Sequence, residues 1–112
     1  MADVTDATFE AAVIERSKEV PVVVDLWAPW CGPCRMVSPL VEKMGRDHAG
    51  YLKVVKLNVD EAQAIAARYG VQGIPLLVFI EDGKETDRMV GAVPEPELRR
   101  WLEPHIAVSD RR

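Results

Sequence analysis

The order of residues predicts an α/β protein, a central mixed β-sheet flanked on both faces by helices. Three observations carry this. The nearly unbroken apolar run "VVVDLW" (residues 22–27) reads as a strand buried on both sides. A helix-patterned stretch and a second strand follow it, the β-α-β order that lays parallel strands together. The last third changes to strand, turn and strand, then a closing helix, which adds an antiparallel hairpin.

Each element has a local cause. Thr5 is placed to cap an amphipathic helix over "DATFEAAVIERSKE", with Phe9 and Val13 on one face. Pro21 opens the first strand. Cys34 to His48 is helical, with Met36, Leu40 and Met44 spaced by four and a bend expected at Pro39. "YLKVVKLNVD" alternates as a strand. "EAQAIAARYG" is a short helix, with Asp60 placed as its cap and Gly70 as its stop. "PLLVFI" and "ETDRMVGA" are strands joined by "EDGK", where Gly83 suits the turn. "EPELRRWLEPHI" is a helix that starts near Pro96 and stops or bends at Pro104. Residues 1–107 are read as one domain and 108–112 as a short C-terminal tail.

Bulk properties narrow the function. With 112 residues the chain is long enough for one sizeable core, and 48% hydrophobic with 29% charged residues is the mix of an ordinary globule. A net charge of -4 without a clustered basic face argues against nucleic acid as a partner. No segment has the length of a membrane span or a signal peptide, so a cytoplasmic protein with no membrane partner is expected, and a monomer. In that compartment a lone Cys-x-x-Cys pair more often does redox work than structural work.

The sequence "WCGPC" (residues 30–34) holds that pair. Cysteines three apart at the start of a helix are near enough to form a disulfide with little movement. Unpaired N–H groups and the positive end of the helix dipole favour a thiolate at Cys31, making it the nucleophile. Cys34, one turn deeper, is the resolving thiol. Gly32 leaves room for a partner, Pro33 is tolerated at the first helical positions, and together they should tune the redox potential. A metal site is not expected, because His48 and His105 are not in ligand spacing. An inert structural disulfide over so short a loop would stabilise little.

Asp25 interrupts an apolar strand. Desolvation should raise its pKa and make it a base able to take the Cys34 proton. A satisfied structural carboxylate, or a strand face turned to water, would also account for it. Lys56, in the neighbouring strand pattern, is either a partner of Asp25 or a solvated surface residue.

Together "DLWAPWCGPC" (residues 25–34), "GIP" (73–75) and "VGA" (90–92) resemble the thioredoxin family, in its order and spacing and over nearly the whole chain. The resemblance implies the thioredoxin fold and protein-disulfide reductase activity through a redox-active Cys31–Cys34 disulfide. It implies no bound cofactor; NADPH is used indirectly, through thioredoxin reductase, and the clients are disulfide-containing proteins. It also implies a cis-proline at Pro75, which its residues alone would read as opening a strand. Substrate would lie along the backbone of Ile74 by strand addition. Trp30, Gly73, Val90, Gly91 and Ala92 would form an apolar contact surface. Trp27 is read as core beside the site, and Trp101 as packing. Leu26, Arg35 and Leu76 depart from the residues most members carry there (Phe, Lys and Thr). Two other readings stay open: an oxidant or isomerase of an oxidising compartment, and a non-enzymatic binding module using the patch around Trp30.

Overall fold

A computed structural model describes residues 1–110, and side chains through residue 106. Five strands, β1 (Ala2–Val4), β2 (Val22–Trp27), β3 (Lys53–Asn58), β4 (Leu76–Glu81) and β5 (Lys84–Val90), form one mixed sheet in the order β1-β3-β2-β4-β5. β3 runs parallel to both β1 and β2, whereas β2–β4 and β4–β5 are antiparallel. This is the expected α/β architecture with one strand added. β1 escaped the sequence reading because three residues at a sheet edge are too short to show a period.

Side-chain alternation sends the two faces of each strand into separate cores. Val22, Val24 and Leu26 of β2 join Leu76, Val78 and Ile80 of β4 beneath Phe9, Val13, Ile14 and Ile65. Val23, Leu77 and Phe79 face the other way, toward helices α1 (Cys34–Asp47) and α3 (Glu95–Asp110). Asp25 alternates with Val24 and so lies on the α1 side.

The N-terminal helix is shorter than expected, a π-helical stretch, Glu10–Glu15, followed by a 3-10 turn, Arg16–Lys18. Winding by five brings Phe9 and Ile14 onto one buried face. Thr5 is not a side-chain cap; its own N–H donates to Thr8 Oγ1. Ser17 is buried, donates to the Ile14 carbonyl and accepts the Gly83 N–H at 2.8 Å, pinning the β4–β5 turn. That turn has positive φ at both Asp82 and Gly83, as a two-residue hairpin requires.

Helix α2 (Gln63–Arg68) ends at Gly70, whose φ is +60°, but Asp60 does not cap it. Asp6 accepts the Ala64 and Ile65 N–H groups instead, at 3.2 and 2.9 Å. α1 continues through Pro39. α3 continues through Pro104 to Asp110, so of the stop or bend expected there the stop does not occur. Leu98, Leu102 and Ile106, spaced by four and buried, hold the helix to the sheet on both sides of the proline. His105 adds a ring stacked on Phe79 at 4.1 Å. The tail proposed for 108–112 thus begins as helix backbone, and residues 111–112 lie outside the described part.

Candidate active site

The site sits where β2 ends and α1 begins. After Trp27 the chain makes a tight loop in which the Cys31 N–H donates to the Ala28 carbonyl at 3.1 Å. Pro33 already has helical φ and ψ, and Cys34 is the first residue of α1. Cys31 therefore lies just ahead of the helix. Its Sγ accepts the Cys34 backbone N–H at 3.2 Å, one of the donors that a helix N-terminus leaves unpaired. The two cysteines are joined as a disulfide with Cα atoms 5.4 Å apart. Cys31 keeps 4% of its surface exposed and Cys34 only 1%, so an incoming group reaches Cys31 first.

Around this small opening the surface is apolar. Trp30 is 69% exposed and Val90 60%, with Gly32, Pro33, Gly73 and Ala92 also at the surface. Trp30 is not loose, since its indole Nε1 donates to Asp60 Oδ2 at 2.9 Å. The Ile74–Pro75 peptide is cis. Ile74 packs on the cluster formed by Ala28, Cys31 and Cys34, as does Trp27. The Pro75 carbonyl accepts the Gly91 N–H at 2.8 Å, and a Cβ on Gly73 would stand 3.6 Å from Val90. These contacts join three segments far apart in sequence, 27–34, 73–75 and 90–92. Gly91 has φ of +94°, a conformation that suits glycine, whereas Gly32 has no positive φ and open space where a Cβ would be.

Behind the disulfide, Asp25 is fully buried. Its Oδ2 accepts the Ser38 hydroxyl at 2.6 Å, and its Oδ1 takes no hydrogen bond from the described residues. Burial pushes its carboxyl up to about 6, against the lowering influence of Ser38 and of the Lys56 charge. Lys56 lies opposite Asp25 in the β2–β3 register, but its Nζ points elsewhere. It is 3.8 Å from Asp3 Oδ1 and 5.2 Å from the Trp27 ring centre, so it acts on Asp25 through its field. A cleft of about 290 Å³ lined by Trp27, Cys34, Arg35, Ser38, Glu42 and Lys56 lies on this side.

The family model described as "Thioredoxin" matches residues 1–104. The chain belongs to the thioredoxin family. It is 49% identical over 105 residues to "Thioredoxin 1" of Synechococcus elongatus, which covers 94% of this chain and 96% of that one. It is 45% identical over 107 residues to the "Thioredoxin" of Porphyra purpurea, covering 96% and 98%. It is also 42% identical over 103 residues to "Thioredoxin M-type, chloroplastic" of Pisum sativum, covering 92% of this chain and 59% of that protein. With the Cys31–Cys34 pair at bonding distance, this thioredoxin is a disulfide oxidoreductase working by dithiol–disulfide exchange.

The sequence reading does not place two residues beside the site, Ser38 and Asp60. Ser38 stands four after Cys34, so it shares that helix face, and this spacing was an available signal. Asp60 had none, because its partner Trp30 is thirty positions away.

Proposed function

We propose that this thioredoxin is a general protein-disulfide reductase that passes electron pairs from a thioredoxin reductase to client proteins. The observation that carries the reading is the Cys34 N–H aimed at Cys31 Sγ at the start of a 14-residue helix. In the reduced protein the same donor and the helix dipole favour a Cys31 thiolate. That thiolate attacks one sulfur of a client disulfide. The Cys31–client bond forms, the client S–S bond breaks, and the departing client sulfur takes up a proton. Asp25 accepts the Cys34 proton, and the Cys34 thiolate attacks Cys31 Sγ. The intramolecular disulfide forms, the mixed disulfide breaks, and the client leaves with two electrons gained.

The remaining residues serve that exchange. The Ile74 backbone beside Pro75 pairs with an extended client strand, which accepts many side-chain sequences. Trp30, Gly73, Val90, Gly91 and Ala92 shape the apolar rim it lies against. Gly32 keeps the approach to Cys31 open, and Pro33 stiffens the ring that the disulfide closes. Lys56 moderates the Asp25 carboxylate, and Trp27 screens both from solvent.

No cofactor is bound to the chain in this scheme; NADPH enters through the reductase, which returns Cys31 and Cys34 to thiols. The protein works as a monomer in a reducing compartment, the cytoplasm. No helix among the described residues is long and apolar enough to cross a membrane. The deciding assay is insulin reduction driven by NADPH and a thioredoxin reductase. NADPH consumption that requires both this protein and insulin is the expected result. Its absence with an active reductase would overturn the proposal.

A further inference from the structure

Ser38 occupies the helix position four residues after Cys34. A serine inside a helix ordinarily faces water or bonds back to the carbonyl one turn earlier. Here the hydroxyl instead crosses to the sheet and donates to Asp25 Oδ2 at 2.6 Å. We propose that Ser38 is a positioning residue of the dithiol centre: its hydroxyl ties the Asp25 carboxylate to the helix carrying Cys34 and sets how readily it takes a proton. The inference rests on the reading of Asp25 as proton acceptor for Cys34.

The physical basis is a balance of opposing influences on one buried group. Burial favours the neutral acid, whereas a donated hydroxyl favours the carboxylate. The other charges near Asp25 are few. β3 presents Lys56, whose Nζ is turned to Asp3. α1 presents Arg35 and Glu42 to the shared cleft, the latter paired with the Met1 ammonium at 2.6 Å. β4 offers Leu77 at the facing register position. The Ser38 hydroxyl is therefore the only described side chain in hydrogen-bonding contact with the carboxylate. Without it, Asp25 would stay protonated further up the pH scale, and an already protonated acid cannot accept the Cys34 proton. The hydroxyl also fixes one carboxylate oxygen, so an arriving proton has Oδ1 as its open acceptor.

The test compares the parent with Ser38→Ala and Ser38→Thr, all in the oxidised form, by following the Asp25 carboxyl carbon through a pH titration by NMR. In Ser38→Ala the midpoint should rise by about one pH unit, roughly a tenfold gain in proton affinity, with Ser38→Thr returning toward the parent. The acid limb of single-turnover resolution of a mixed disulfide should rise with it. An unmoved Asp25 midpoint in Ser38→Ala would overturn the inference. An equal rise in Ser38→Thr would assign the effect to packing and overturn it too. Asp25→Asn tests the underlying reading separately: an acid limb that survives it removes the proton-acceptor role, while the Ser38 titrations stand on their own.

Discussion

The backbone N–H of Cys34 points at Cys31 Sγ, 3.2 Å away, so the peptide group of one cysteine supports the sulfur of the other. The two thiols are thereby unequal before any client arrives. Cys31 lies just ahead of α1 and accepts that N–H, while Cys34 is the first helical residue and is the more deeply buried.

That inequality predicts different fates for the two serine variants. Cys31→Ser should lose insulin reduction entirely, because no thiolate remains at the opening. Cys34→Ser should still attack and then stall, accumulating client joined to Cys31. Mass spectrometry of the stalled species, with its mass returning to the parent on dithiothreitol treatment, checks both.

Asp25 should weaken the fold. Its carboxyl is raised to about 6 in the folded protein from an ordinary value of 3.8, chiefly by burial. Above about pH 6 both folded and unfolded chains hold it ionised, and the folded state bears the full desolvation cost. As pH falls from 6 toward 4 the folded state takes up the proton first, so this cost fades and stability rises on acidification. Asp25→Asn should therefore be more stable by on the order of 3 kcal/mol near pH 8, with little difference below about pH 4. Denaturant unfolding at the two pH values measures it. A variant less stable at pH 8 would show that the carboxylate is a net support.

Two glycines of the rim should respond differently to alanine. Gly91 has φ of +94°, and its N–H is held by Pro75, so Gly91→Ala should cost roughly 1–3 kcal/mol and lower kcat/KM for insulin. Gly32 has neither a left-handed φ nor a neighbour within 4 Å of an added Cβ. Gly32→Ala should leave the melting temperature unchanged and slow client attack. Paired melting curves and insulin kinetics separate backbone strain from obstructed access.

The Trp30–Asp60 hydrogen bond should act on recognition. Asp60→Ala frees the indole, and loss of one exposed bond of about 1 kcal/mol should raise KM for the reductase or insulin roughly fivefold with kcat little changed. Asp60→Asn keeps a carbonyl acceptor and should stay close to the parent. A fall in kcat at constant KM would place the bond in the chemistry rather than in binding.

Much of this was legible in the chain because local rules and long-range packing agreed. β2, α1 and the β4–β5 hairpin follow from an apolar run, a Cys-x-x-Cys helix start and a glycine turn, each decided by neighbouring residues. What escaped depended on partners distant in sequence. Asp60 has the composition of a cap, but the cap of α2 is Asp6, and nothing local shows the preference. Pro104 is a local stop signal that Leu98, Leu102 and Ile106 outweigh through burial. Ser17 holds a turn more than sixty residues away. For Pro75, residues alone suggested a strand opening; the cis peptide came from the family resemblance.

Of the three segments that meet at the disulfide, 73–75 and 90–92 are joined by the β4–β5 hairpin, and 27–34 reaches them across the β2–β4 pairing. The start of α1 is local to the cysteines, whereas the rim around them draws on residues made much later in the chain. The surface that surrounds the disulfide is therefore complete only in a chain that extends through Ala92.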